Sequence, residues 1–357
     1  MRGGQIYNGE SASVDSVSTI VAFGELMLRL KAPGAERLLQ TPRLEATFGG
    51  AEFNVLASLR QWGHDTVFVT ALPDSVLGDA AVSEILRFGV GTEALQRAPG
   101  RLGTYFAESG HGARSGLVLY DRAESVFARL GGAGANWDRL MSSAQALHLT
   151  GITPALSEQA RLACMTATQA AVRHGKIVSM DVNYRASLWP AGGVAPAAAL
   201  RPLLEAATIV FASAADLRLL LAVDPGKALA GDRSDEYAAL SATAVAAFPR
   251  LRWIATCDRL GARAHRNELV GMGRDSSGFH LLPAQEVDQI VDRIGAGDAF
   301  AAGVLHEHLS GGSLAAALAY GVAAATLKHS IPGDVLRASD SEIRSVVAGV
   351  SAAKLRR

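Results

Sequence analysis

Short apolar runs alternate with stretches of helical spacing along most of the chain. TIVAFG (19–24), TVFVTA (66–71), KIVSMDV (176–182), ATIVFA (207–212) and RWIAT (252–256) have the length and β-branching of buried strands. AEFNVLASLRQWG (51–63) sets Val55 and Leu59 on one face and ends on Gly63, a residue suited to a helix C-cap. SLAAALAYGVAAATLK (313–328) repeats Leu314, Leu318, Val322 and Ala325 at helical spacing, and AGGVAPAAALRPLLEAA (191–207) is patterned as a helix. Strands alternating with helices predict an α/β fold with a parallel sheet covered on both faces.

Two stretches break that rhythm. Residues 25–50 and 101–122 read as strand, turn, strand, without helical spacing. Two such hairpins, inserted into the α/β domain and paired, form a small sheet at one end of the core. That is the place for a lid, because α/β ligands bind beyond the carboxyl ends of the strands. DPGKALAGDRSDE (224–236) reads as a surface loop running into a helix.

Composition narrows the class. With 49% hydrophobic and 19% charged residues the chain is built for a large buried core and not for disorder. Lys+Arg and Asp+Glu balance at 34 each, so no net field recruits nucleic acid or an anionic membrane. The most apolar run, 313–328, is shorter than the roughly 18–20 residues of a bilayer span. Residues 1–17 are polar, lack a signal peptide's apolar core, and read as a disordered leader before one domain over 18–350, which points to a cytoplasmic protein. Cys164 and Cys257 are too few for a disulfide framework. His306 and His308, two apart on a helix, point in different directions and read as surface residues.

The chemistry concentrates in VDRIGAGDAF (291–300). Successive N–H groups of a Gly-rich turn entering a helix make a concave anion site, and an aspartate in the first turn is stabilised there as the anion. The pair suits phosphoryl transfer to an alcohol: a carboxylate takes the hydroxyl proton while fixed donors hold the phosphoryl charge. It equally suits a helix cap on a tight turn. FGGAEFNVLASLRQWG (48–63) adds a second segment, with Gly49 and Gly50 ahead of a helix and Asn54 one turn in. No GxxxxGK[ST] loop accompanies them.

Together the two segments resemble the ribokinase-like (PfkB-type) carbohydrate kinases, which carry GG-x-x-x-N and D-x-x-G-A-G-D in this order; here the latter is Asp292, Gly295, Ala296, Gly297 and Asp298. The resemblance spans roughly 19–350. It is strongest to the 2-keto-3-deoxygluconate kinases, at GELMLRL, RLGTYF with LVLYDRAES, DVNYRASLWP and KHSIPGD. It implies a three-layer α/β/α core with a β-hairpin lid, ATP as co-substrate, Mg2+, and phosphorylation of the primary hydroxyl of 2-keto-3-deoxygluconate. A neutral-sugar kinase is the alternative, and a non-catalytic sugar-acid sensor a more distant one. Asp298 is then the general base and the backbone of Gly295, Ala296 and Gly297 the anion hole. Gly49, Gly50, Asn54, Tyr105, Tyr120, Arg122, Arg185 and Asp334 line the sugar pocket. Asn183, Arg185, Ser213, Gly261, Gly295 and Gly297 face ATP. Asp216 stands near magnesium through water, because Ser213 and Asp216 replace the family's usual Asn-x-x-Glu. TCDRLGARAHRN (256–267) is expected as the adenine-side loop. An acid substrate calls for a guanidinium, which Arg122 and Arg185 supply. Unpaired lid edges predict a homodimer or larger assembly.

Overall fold

The computed structural model describes residues 19–40, 42–189, 193–224, 232–263 and 266–349; the leader expected at 1–17 lies outside them. Strands β1 (Thr19–Phe23), β4 (Asp65–Pro73), β5 (Leu95–Ala98), β8 (Ala146–Thr150), β9 (Ile177–Asp181), β10 (Ile209–Phe211), β11 (Trp253–Arg263), β12 (Arg266–Asp275), β13 (Gly278–Leu281) and β14 (Gln285–Asp288) build one sheet. Its order is β13-β12-β11-β10-β9-β8-β1-β4-β5, with β14 on β12. The pairs from β11 to β5 are parallel, and those involving β12 are antiparallel.

All five apolar runs are strands of this sheet. Period-two alternation splits them between two cores: Ile20 and Ala22 belong to the core shared with the helices Ala51–Gln61, Ala296–Leu309 and Leu314–Lys328, while Val21 and Phe23 belong to the core shared with the helices Glu158–Arg173, Pro196–Ala206 and Arg233–Ala247. Helices on both faces of a parallel sheet make the three-layer α/β/α arrangement.

The second sheet holds the two hairpins expected as a lid. Strands β2 (Met27–Lys31), β3 (Glu45–Gly49), β6 (Thr104–Glu108) and β7 (Leu117–Asp121) pair in the order β3-β2-β6-β7, two antiparallel hairpins joined by a parallel β2–β6 contact. In β2 the residues Met27, Arg29 and Lys31 are buried and alternate with half-exposed Leu28 and Leu30.

Two expectations are corrected. Residues 256–263 form no loop: they extend β11, paired with β12 from Ile254↔Arg274 to Arg263↔Arg266, with an irregularity after Leu260 where Gly261 has φ +58°. The charges of Asp258 and Arg259 imitate a loop in sequence, although a strand carries exposed polar residues equally well. His306 is buried, its Nδ1 2.8 Å from His64 Nε2, with the rings of Trp62 and Tyr320 about it. His308 packs edge-on against Trp253. His306 is not a surface residue and His308 is half-buried, because the Ala296–Leu309 helix is covered along most of its length.

Candidate active site

The two glycine-containing segments, 244 residues apart at the atoms concerned, meet through one hydrogen bond: Asn54 Nδ2 donates to Asp298 Oδ2 at 2.6 Å. Each side chain stands in the first turn or so of its helix. Asn54 is buried one turn into Ala51–Gln61, and Asp298 lies half-buried in the first turn of Ala296–Leu309. Burial pushes the Asp298 carboxyl up to about 7; the Asn54 donor opposes this, Asp334 and Glu52 add to it, and Arg185 opposes it. A carboxylate poised near neutrality beside a donor amide is a competent base for an alcohol.

Gly295 caps that helix at φ 85°, and a Cβ built on it would lie 1.8 Å from the Asp334 carbonyl oxygen. A Cβ at Gly297, by contrast, meets no atom within 4 Å. The N–H groups of a first helical turn have no intrahelical acceptor; apart from a long bond from Ala296 N–H to the Arg293 carbonyl at 3.4 Å, those at 296–298 have no backbone acceptor among the described residues, so the turn offers donors under open space. Gly297→Ala should therefore keep the native melting temperature while raising KM for ATP and lowering kcat, each by about tenfold or more. Gly295→Ala should destabilise the fold itself. Steady-state kinetics with thermal melts on both variants check this, and a Gly297→Ala enzyme of native activity refutes it.

Behind the turn, Arg29 of the lid strand β2 is 1% exposed and bonds two carboxylates, Nη1 to Asp334 Oδ1 and Nη2 to Asp292 Oδ2, both at 2.6 Å. Asp292 in turn accepts from the N–H groups of Ile294 and Gly333, at 3.2 Å each. The lid base, the anion turn and the IPGD turn are thereby fastened together. Sequence reasoning missed Arg29; the signal was an arginine on the buried parity of an otherwise apolar strand. Glu25, also missed, is buried and accepts from Arg122 and from Ser125 Oγ.

The expected sugar-pocket residues divide. Tyr105 and Asp334 are bonded to each other, Oη to Oδ2 at 2.5 Å, and with Arg29 each Asp334 oxygen accepts one hydrogen bond from the protein. Gly49 and Gly50 make their close approaches to the protein itself: built Cβ atoms would fall 2.1 Å from Asp334 Oδ2 and 2.2 Å from the Glu25 carbonyl oxygen. Arg122 spends Nε–H and one Nη2–H on Glu25 Oε2, which leaves both Nη1 hydrogens and the second Nη2 hydrogen as donors. Its guanidinium lies 5.6 Å from the centre of the Tyr120 ring, which is exposed and 5.8 Å from that of Tyr105. Arg185 is exposed, and among the described residues its side chain makes one hydrogen bond, from Nη1 to the Tyr184 carbonyl; its charge also acts on Asp298 and Asp181.

On the nucleotide side, Asn183 has φ 40° and clasps Asp181, its N–H on Oδ1 and Nδ2 on Oδ2. Burial first, then Asp298 and Asp216, push Asp181 up to about 8. Ser213 and Asp216 form a capping box at the helix Ala214–Leu220, with Ser213 N–H and Oγ both donating to Asp216 Oδ2. Asp216 Oδ1 accepts no hydrogen bond from the described residues. Among the described residues no group of three or more His, Cys, Asp or Glu is placed to hold a metal. The donor set fits a magnesium ion carried by nucleotide phosphates and water, with Asp216 Oδ1 as an outer contact, and not a protein cage. Gly261 stands on the β11–β12 ribbon, with nothing within 4 Å of a built Cβ.

Residues 17–337 match the pfkB family carbohydrate kinase. The chain is 30% identical over 339 residues to a 2-dehydro-3-deoxygalactonokinase of Haloferax volcanii, covering 92% of this chain and 96% of that one. It is 28% identical over 322 residues to a 2-dehydro-3-deoxygluconokinase of Bacillus subtilis, covering 88% and 90%. The crystal structure of a 2-dehydro-3-deoxygluconokinase from Thermotoga maritima superposes with a TM-score of 0.87 at 34% identity, over 93% of this chain and 99% of that one.

Proposed function

The chain belongs to the pfkB family of carbohydrate kinases, and on that premise we propose that it phosphorylates the primary hydroxyl of a 2-keto-3-deoxy sugar acid, 2-keto-3-deoxygluconate first. The Asn54–Asp298 hydrogen bond carries this reading, since it joins a hydroxyl-binding amide to a carboxylate tuned near neutrality at the mouth of an anion turn. Asp298 takes the hydroxyl proton as the oxygen attacks the γ-phosphorus of ATP, whose bond to the β–γ bridging oxygen breaks so that ADP leaves. The N–H groups at 296–298 receive the charge on the transferring group. Asn54 orients the base, and Arg185 reaches the acid or the phosphates from the open side. Magnesium held near Asp216 and Asp181 supplies neutralisation of the phosphate charge when bound. The lid over these groups excludes water from the reacting phosphorus.

The galactonate epimer is the second reading, favoured by the name of the Haloferax volcanii relative. One assay separates the cases: magnesium-dependent ADP release with 2-keto-3-deoxygluconate, its galactonate epimer, fructose and ribose, for the native enzyme and Arg185→Met. Turnover confined to the acids, with kcat/KM lowered about 30-fold or more in the variant, is expected. Turnover of the neutral sugars alone refutes the acid reading. Binding of an acid without ADP release refutes the kinase assignment of this site.

A further inference from the structure

Behind the anion turn the fold buries a lysine that faces neither solvent nor the open side of the site. Lys328 ends the helix Leu314–Lys328 and is 0% exposed. Its Nζ donates to one acceptor, the Ile331 carbonyl, at 2.8 Å. The loop it opens is wrapped around the turn. The N–H groups of Val291 and Asp292 donate to the His329 carbonyl at 2.8 and 3.2 Å, Gly333 N–H donates to Asp292 Oδ2, and Gly295 rests on the Asp334 carbonyl.

The charges that act on Lys328 are those of Asp292 in the turn, Asp334 in the loop after the helix, Arg29 of strand β2 and Asp298 at the helix mouth, with His329 next to it in the chain. Burial pulls the ammonium down to about 8, against the two nearer carboxylates, so it is charged at neutral pH. Three carboxylates thus meet two buried cations. With Arg29 alone the cluster would carry two net negative charges; with Lys328 it carries one, that of the base. A dry ammonium carries a desolvation cost that a leucine or methionine at this helix end would not. The charge sits where a further anion, the phosphoryl group, must arrive.

We propose that Lys328 is a positioning residue for phosphoryl transfer: its buried ammonium supplies, from behind, the charge that lets the turn at 292–298 accept an anion beside three carboxylates. This rests on the kinase reading of that turn.

The test compares Lys328→Ala and Lys328→Met with the native enzyme, on whichever carbohydrate the native enzyme turns over fastest, together with their melting temperatures. Both variants should lose about 100-fold in kcat with KM for the sugar within about threefold. Ethylammonium in the tens of millimolar should restore activity at least about tenfold in Lys328→Ala, whose cavity admits it, and leave Lys328→Met and the native enzyme unchanged. A Lys328→Met enzyme within threefold of native kcat overturns the proposal. So does a folded but inactive Lys328→Ala that ethylammonium fails to recover, and so does failure of both variants to fold, which assigns the lysine to stability alone. An enzyme that turns over neutral sugars only refutes the substrate reading and leaves this comparison measurable on those sugars.

Discussion

Replacing Asp298 by asparagine should lower kcat by between about 10²- and 10⁴-fold, the range that a positioned general base contributes. Asparagine keeps the shape and an oxygen for Asn54 to donate to at the site of the present 2.6 Å bond, so KM for sugar and ATP should stay within a few-fold. The native enzyme should carry the matching pH signature. The active base is the ionised form, so kcat/KM is full above the folded value of about 7 and falls as pH drops through it. An ordinary aspartate would place that limb near 4. The same substitution should raise the melting temperature at neutral pH: a carboxyl whose folded value is raised destabilises the fold once it ionises, and asparagine cannot ionise. A variant within tenfold of native kcat, or a limb near 4, removes Asp298 from the role.

The largest effect on stability is expected at Arg29. Arg29→Met leaves Asp292 and Asp334 buried without their guanidinium, and breaking a buried pair in this one-sided way costs about 3–5 kcal/mol. Arg29 is 1% exposed and its partners are 5% and 4%, so water does little to screen the loss. The orphaned carboxyls should then bind protons more tightly in the folded than in the unfolded chain. The variant's deficit is thus fully present at neutral pH and shrinks as pH falls through the raised folded values. Urea unfolding at pH 8 and pH 5.5 reads both. Adding Asp334→Asn to Arg29→Met should recover part of the loss, because one of the stranded charges is gone. A deficit under about 1 kcal/mol, or one that does not change with pH, would falsify the clamp between lid and anion turn.

Much of the architecture was legible in the order of the residues. The five apolar runs, the helices at 51–61 and 314–328, and both lid hairpins follow from period and punctuation alone, since buried strands and amphipathic helices impose 2.0- and 3.6-residue repeats on the chain. The GAGD turn was legible too, because a glycine at φ 85° followed by an acidic first turn is a local arrangement. Strand β8 escaped, its ALHLT holding a histidine in a fully buried strand, and so did the continuation of β11, whose Asp258 and Arg259 carry the composition of a loop.

The sequence by itself determined which segments become strands and helices, and which short turn concentrates the chemistry, because those are nearest-neighbour properties of the backbone. Only the tertiary structure decided what each charged side chain faces. Asn54 reaches Asp298 across 244 positions, Arg29 reaches Asp334 across 305, and Arg122 turns to Glu25 across 97. The motif spacing names these residues without saying which are free for substrate and which are spent on one another. That depends on distances of a few ångström between elements far apart in the chain. In a dry interior such distances decide whether a charge is neutralised, stranded or left to do chemistry.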